Sequence, residues 1–444
     1  MISLTLLLVT DGTTDLGTVF VRWSWCRAVL HRGWWLVTSV YLVVDARLPA
    51  SQLVLVGVAQ AGVALVFEVP AGVLADTFSR KWSLVVSHLL MGTSMAATAL
   101  VTGFWALVAT QMLWGLSWTF ASGADVAWVS DELDEPARVS AVLLRSGRAQ
   151  LTGAVAGMVG IGGLAGLLPR GTVMVLAGAA MLLLGLYVML RFPERRLVPP
   201  PRLRGPGARP GSAATSARRW SASWSILVRG AALVRGSRVT VVLFAATFLV
   251  NGVAGAFGRL YPLRLVDIGL PTDPVAWLTA LGVLAFLMGA AALRLVQPHV
   301  EGVHTVRRCY VVACGVAAVG AVGLAGAPEE VSGSMAVLLA AGALPLTRTF
   351  GTIWVNRQTS GDIRATVHSL LAQADYLGVV ACGLAVAATA RFAGLPLALV
   401  ACGALLTATV LLIQCLGVPP GVIGRRLARP GRAAASGGRT SARG

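Results

Sequence analysis

Long apolar runs, each about the length of a bilayer crossing and separated by short polar pieces, set the pattern of this chain from residue 22 to residue 416. A helix rises about 1.5 Å per residue, so about 20 apolar residues cross a hydrocarbon core of about 30 Å. Twelve runs reach that length, at 22–44, 52–75, 82–102, 104–129, 139–168, 171–190, 239–266, 275–297, 308–327, 333–356, 366–390 and 393–416. They are apolar on every side, whereas barrel strands would alternate polar and apolar positions. The pattern therefore predicts an all-α membrane protein of twelve transmembrane helices. The first run is the most polar, because it holds Arg27, His31 and Arg32.

The pattern breaks once over a long distance, at "RFPERRLVPPPRLRGPGARPGSAATSARRWSASWS". This stretch is rich in Pro, Gly, Ser and Arg and has no apolar period, which is the composition of a flexible linker. It divides the chain into an N-terminal six-helix half (residues 1–191), a basic cytoplasmic linker (192–238) and a C-terminal six-helix half (239–417). The basic tail 418–444 is expected to be disordered. The opening "MISLTLLLVT" is apolar but short, lacks a basic segment before it and is followed by Asp11 and Asp15, so it reads poorly as a signal peptide. Whether it is the native start stays open.

Composition agrees with the pattern. Hydrophobic residues make up 56% of the 444 and charged residues 12%, against about 25% charged in a soluble domain. The net charge of +18 would suggest nucleic acid, but the arginines lie between apolar runs and in the linker and tail, and no soluble basic domain is present. Basic residues cluster in "DTFSRK", the linker, "HTVRR", "NRQTSGDIR" and the tail, while "TG", "LPRG" and "APEE" are nearly free of them. With twelve spans, that bias places both termini in the cytoplasm. All but one of the 36 basic residues are Arg, a skew that fits a GC-rich genome. The six cysteines, Cys26, Cys309, Cys314, Cys382, Cys402 and Cys415, show no metal spacing. Neither a nucleophile triad nor a phosphate loop is evident, so no enzymatic activity and no cofactor or metal is expected.

One stretch concentrates polarity inside this apolar chain: "FEVPAGVLADTFSRKWS", residues 67–83. Gly72, Asp76 and the pair Arg80 and Lys81 match a G-x-x-x-D-R-x-G-R-R pattern, with Thr77 for the first Arg and Ser79 for the second Gly. Together with the two six-run halves, this resembles the major facilitator superfamily. "VFEVPAGVLAD", "WGLSWTFASGADVAWVSDEL" and "NRQTSGDIRATVHSL" resemble a bacterial drug-efflux branch of it. The resemblance implies a multi-pass protein of the bacterial plasma membrane that works as a monomer and exports a small molecule in exchange for protons. It also implies that the motif is a conformational latch made by Gly72, Asp76, Arg80 and Lys81. Physically, Gly72 would allow a close helix approach, and Asp76 would meet a helix N-terminus or the adjacent cations; a plain cytoplasmic turn is the alternative. Glu68 lies two helical turns earlier, inside the bilayer. A carboxylate there is either functional or a structural hydrogen-bond partner near Pro70.

The resemblance also implies that spans one, four, seven and ten line a central cavity. Their polar residues fall within about a third of the helix circumference, which supports that assignment. Span one offers Ser24, Arg27, His31, Trp34, Thr38 and Tyr41, and span four offers Gln111, Gly115, Trp118, Ser122 and Asp125. Span seven offers Thr247, Asn251, Gly255 and Arg259, and span ten Pro345, Arg348, Thr352 and Asn356. The substrate-binding candidates are thus Arg27, His31, Trp34, Thr38, Gln111, Trp118, Ser122, Asn251, Arg259, Arg348, Thr352 and Asn356. Each has a plainer reading: tryptophans anchor at interfaces and Arg27 snorkels to headgroups.

Several departures from the family's pattern bear on coupling. The helix-four Arg is replaced by Gln111, span five lacks the Gly-Pro of antiporters, and no acid stands beside Arg259. Antiport still needs a protonatable group, and Asp125, Glu68, Asp375 and His31 are the candidates, with Asp125 ranked first because it shares the cavity stripe. Arg27 and Arg348 as fixed charges predict a preference for neutral or weakly acidic hydrophobic compounds, with Trp34, Trp114 and Trp118 as flat walls. Import or facilitated passage of an organic anion, and a transport-inactive sensor or scaffold, remain alternatives.

Overall fold

The structure is a computed structural model that describes residues 15–77, 79–133, 135–194, 238–296, 302–358 and 361–415. The apolar N-terminal stretch, nearly all of the linker and the tail lie outside these residues. So do the side chains of Asp76 and Thr77.

The described chain is helical and antiparallel. The helices are α1 (Leu16–Val40, ending in a π-helical turn Tyr41–Asp45), α2 (Ala50–Thr77), α3 (Arg80–Thr98), α4 (Phe104–Ala121), α5 (Ala124–Leu133), α6 (Pro136–Ala165) and α7 (Arg170–Arg191). They continue with α8 (Arg238–Ile268), α9 (Pro274–Val296), α10 (Val303–Gly326), α11 (Glu330–Gln358) and α12 (Gly361–Cys415). Helices α1–α7 pack mainly on one another, as do α8–α12, and the two groups meet chiefly where α2 lies on α12. Seven of the described helices are long and apolar enough to cross a membrane.

The expected span limits change in three places. The first span begins at Leu16, six residues earlier than the apolar run, because helix hydrogen bonding can continue beyond the stretch that is apolar enough for the bilayer core. The fourth span is interrupted: α4 stops at Ala121 and α5 starts at Ala124, with Gly123 at φ 74° between them. The last two spans form a single helical run broken at Gly394, where φ is 87°. Both breaks sit in the left-handed region, which only glycine enters without a Cβ clash.

Close approach is concentrated at small residues. A methyl added at Gly153 would strike the Trp25 carbonyl and one at Gly178 the Gly92 carbonyl, so α1 meets α6, and α3 meets α7, nearly backbone to backbone. Close packing thus accounts for Gly153, Gly157 and Gly162 of "GAVAGMVGIGGLAG", but not for Gly160 or Gly163, where an added methyl would meet nothing within 4 Å. Gly72 differs from the expectation: a methyl there would meet nothing within 4 Å. The close approach in α2 is made about four turns away, at Gly57, against which the Arg259 side chain lies.

The two groups are pressed together at the end of the bundle opposite Leu16 and Cys415, the ends of the first and last described helices. There Gly162 faces Thr279, Gly282 faces Met158, and Arg170 reaches both Asp45 (2.7 Å) and Asp273 (3.7 Å). Toward the terminal end Trp118, Ser122, Arg348, Thr352 and Asn356 are exposed, so the space between the groups opens on that side.

Candidate functional site

The cavity wall begins with aromatic stacking on α1 and α4. His31 stacks on Trp114 at 5.3 Å between centroids and lies 5.5 Å from Trp118, and Trp114 and Trp118 stack at 5.8 Å. One turn nearer the opening, the Arg27 guanidinium lies 5.4 Å from the Trp23 ring and 5.1 Å from the Trp118 ring. Asp125, brought round by the break at Gly123, approaches Arg27 at 3.9 Å. Arg27 is therefore held by aromatic faces and a carboxylate inside the bundle, not extended to headgroups.

Two expected wall residues turn elsewhere. Trp34 is fully buried and donates its indole N–H to the Met95 carbonyl at 3.2 Å. A buried indole needs an acceptor, and α3 supplies it, so Trp34 packs within the first group and does not face the cavity. Ser24 donates to Ser146 on α6 at 3.4 Å. Trp35, not singled out from the sequence, takes the cavity position instead, beneath Arg259 at 5.1 Å.

Glu68 occupies a join. Its Oε1 accepts from Ser122, in the break just after α4, at 2.7 Å and its Oε2 accepts from Tyr376 of α12 at 3.3 Å. One carboxylate thus ties two helices of the first group to the second. Tyr376 was missed from the sequence; a phenol directly beside the carboxylate of Asp375 was the available signal.

The second group forms its own open cleft of about 160 Å³, lined by Asn251, Arg348, Thr352, His368 and Asp375, among others. Arg348 donates to Asp375 at 2.7 Å and remains 68% exposed at its side chain. Thr352 donates to the Arg348 carbonyl, and Asn356 Oδ1 lies 2.9 Å from His368 Nε2. Deeper, toward the closed end, Arg259 donates to Gln60 Oε1 at 2.5 Å. Thr38 and Gln111 are buried beside it.

At the 67–83 stretch, Arg80 pairs with Asp131 and donates to the Ala127 carbonyl at 2.9 Å, tying α3 to α5 within the first group. Ser79, standing where the family pattern has glycine, accepts from the Trp82 N–H at 3.0 Å and caps α3. Lys81 is half-buried on the first turn of that helix.

Comparison with known proteins agrees with this architecture. The profile of the Major Facilitator Superfamily matches residues 26–381, most of the chain. No curated protein sequence matches it significantly. Among solved structures, the nucleoside transporter NupG superposes with a TM-score of 0.69 at 14% identity, covering 91% of this chain and 99% of that one. A POT family transporter in complex with a thioalcohol-conjugated peptide gives 0.66 at 12% identity, covering 90% and 95%. The human organic anion transporter MFSD10 (TETRAN) gives 0.57 at 17%, covering 90% and 100%. At such identities these likenesses concern the fold, while the profile match concerns the family: this chain belongs to the Major Facilitator Superfamily and is a multi-pass membrane transporter of small molecules.

Proposed function

We propose that the chain is a proton-coupled exporter of hydrophobic small molecules in a bacterial plasma membrane, working as a monomer by alternating access with both termini in the cytoplasm. Residues 1–191 and 239–417 are the two moving halves and 192–238 is their cytoplasmic linker. The observation that carries the coupling is Glu68, whose two oxygens accept from Ser122 and from Tyr376 across the join. A proton on Glu68 removes the charge that strengthens both bonds and adds a donor to the carboxyl, so both contacts weaken or rearrange. Proton binding and the seating of the halves are thereby linked through one group. The drug-like substrate is supported by the His31, Trp114 and Trp118 wall, which offers flat rings toward the opening. In this reading Asp76 with Arg80 and Lys81 acts at the cytoplasmic face as the latch, Asp131 being the partner that holds Arg80 in place.

The test is transport into inverted vesicles with and without an imposed pH gradient, using labelled hydrophobic compounds. Uptake that rises with an acidic interior supports antiport, and equal uptake without a gradient refutes coupling. A second reading, passage of organic anions, is favoured by one observation: Arg259 has no carboxylate within ion-pair distance among the described residues. Carboxylate-bearing compounds belong in the same panel for that reason.

A further inference from the structure

On the outer surface of the second group lies a groove that has no part in the central cavity. It is an open cleft of about 370 Å³ between α9 and α10, which each pack on α11 and hardly touch one another. Met288 and Val296 form one wall, Val312 and Val316 the other, and Gly342 and Phe350 of α11 the floor. At about 100° per residue, Phe350 stands about 200° round α11 from Arg348. That helix therefore shows a polar face to the cavity and the opposite, apolar face to the groove.

Apart from Arg308 and the neighbouring Cys309, no residue of the groove carries a polar side chain. Both stand at the end where α9 finishes and α10 starts, on the side of Leu16 and Cys415. From Arg308 to Val316, and from Phe350 back to Gly342, the groove follows eight residues of helix, about 12 Å. One leaflet supplies about 15 Å of hydrocarbon, so the groove runs from one membrane interface to near the midplane. At about 30 Å³ for a water-sized group, it takes about twelve methylenes, the greater part of one acyl chain. Its open end is cationic. Arg308 is exposed, and among the described residues no carboxylate lies within ion-pair distance of it. His304, one turn earlier on the same face, is also exposed. From Arg294 to Arg308 the chain holds three arginines and one acid, Glu301.

An apolar slot one leaflet deep, with a cation at its interfacial end, has the shape and charge order of a phospholipid. We propose that this groove holds one acyl chain of an anionic phospholipid, drawn from the leaflet on the side of Leu16 and Cys415, with the lipid phosphate on Arg308. A guanidinium meets two phosphate oxygens at once, and the local excess of arginine favours a net-negative headgroup over a zwitterionic one. The chain fills the gap that the splayed α9 and α10 leave over α11, so the lipid fixes the spacing of three helices of the second group. The transported molecule meets the other face of α11, so the lipid site is separate from the cavity.

The experiment uses the full chain purified in detergent, with dioleoylphosphatidylglycerol or dioleoylphosphatidylcholine added over a range of mole fractions. The readout is the rate at which N-ethylmaleimide modifies Cys309, half-buried in the groove, with the exposed Cys415 as internal reference. Phosphatidylglycerol should slow Cys309 at a mole fraction about fivefold lower than phosphatidylcholine requires, the worth of one arginine against an anionic headgroup, and leave Cys415 unchanged. Arg308→Gln should make the two lipids equal, and Arg308→Lys should keep most of the difference. Val316→Trp, two turns deeper than Cys309, should weaken protection by both lipids by blocking the chain. Arg294→Gln, an exposed cation outside the groove, should change nothing. Equal potency of the two lipids on the native protein overturns the proposal, since the groove would then hold only unselected bilayer lipid. So does an Arg294→Gln effect as large as that of Arg308→Gln, which would assign the preference to diffuse surface charge. Full protection in Val316→Trp would show that no chain enters the groove, and protection by dodecanol as potent as that by phosphatidylglycerol would assign it to neutral hydrophobic solutes; either result refutes the lipid site.

Discussion

At the scale of single residues, the question is which carboxylate carries the proton. The cavity stripe ranks Asp125 first, but the structure sets Asp125 at 3.9 Å from Arg27, where it balances a fixed cation. Glu68 instead accepts from a hydroxyl on each side of the join. Glu68→Gln should therefore lose dependence on the pH gradient more completely than Asp125→Asn, reversing the order that the stripe alone suggests. Hydrogen bonds to a charged acceptor are worth about 1.5–3 kcal/mol, so gradient-driven uptake should fall by about tenfold or more. Tyr376→Phe removes only one of the two bonds and should slow uptake less while keeping its gradient dependence. Both are read in inverted vesicles at matched expression. A Glu68→Gln protein that still responds fully to the gradient would return the role to Asp125, Asp375 or His31.

At the scale of helices, packing by small residues makes predictions of opposite sign for neighbours in one sequence. Gly157 on α6 lies against the Val29 carbonyl of α1, and a backbone atom cannot move aside as a side-chain tip can. Gly157→Val should cost about 1–3 kcal/mol through overpacking, seen as a lower unfolding temperature in detergent. Gly160, three residues on, would meet nothing within 4 Å, so Gly160→Ala should be neutral or slightly stabilising through helix propensity. Equal effects of the two substitutions would show that α1 and α6 do not meet as described. This scale also separates what the sequence makes legible from what it hides. Run length located the twelve spans because bilayer thickness imposes it, and the π-helical and left-handed breaks fell within a few residues of the expected ends. The glycines, by contrast, look alike in sequence: Gly72 belongs to a motif yet a methyl there would meet nothing within 4 Å among the described residues, while Gly57 belongs to none and makes room for Arg259. A polar stripe on a helix likewise fixes a direction only to within a turn. It pointed to His31, Thr38 and Gln111, but it could not tell Trp34, turned to the Met95 carbonyl, from Trp35, turned to Arg259. Gln60 and Tyr376 escaped because each lies in a span where a carboxylate, Glu68 or Asp375, is the more conspicuous polar residue, and their importance comes from partners 199 and 308 residues away.

At the scale of the whole molecule, the two groups of helices meet along α2 and α12 and are pressed together near Arg170, while Trp118, Ser122, Arg348 and Thr352 are exposed toward the end that holds Leu16 and Cys415; in the alternating-access reading proposed above, this is one side of the cycle. The closed end is held by apolar and small-residue contacts, Gly162 on Thr279 and Gly282 on Met158, and by Arg170, which reaches Asp45 of its own group and Asp273 of the other. Asp273 is 46% exposed at its side chain and lies 3.7 Å from Arg170, so this contact is screened and worth at most about 1 kcal/mol. That is small for folding yet enough to shift a two-state population by about fivefold. A cysteine placed at Thr38, beneath the closed end, should resist a membrane-impermeant maleimide added from the side opposite the termini, whereas one at Ser122 should react from the terminal side. Adding Arg170→Gln should raise labelling at Thr38→Cys from the far side by up to about fivefold and lower labelling at Ser122→Cys, because weakening one end favours the other conformation. A control with Arg138→Gln, whose partner Asp15 lies within the same group, should change neither. If Arg170→Gln alters both sites in the same direction, the variant has loosened the fold as a whole, and Arg170 is not a clamp between the two groups.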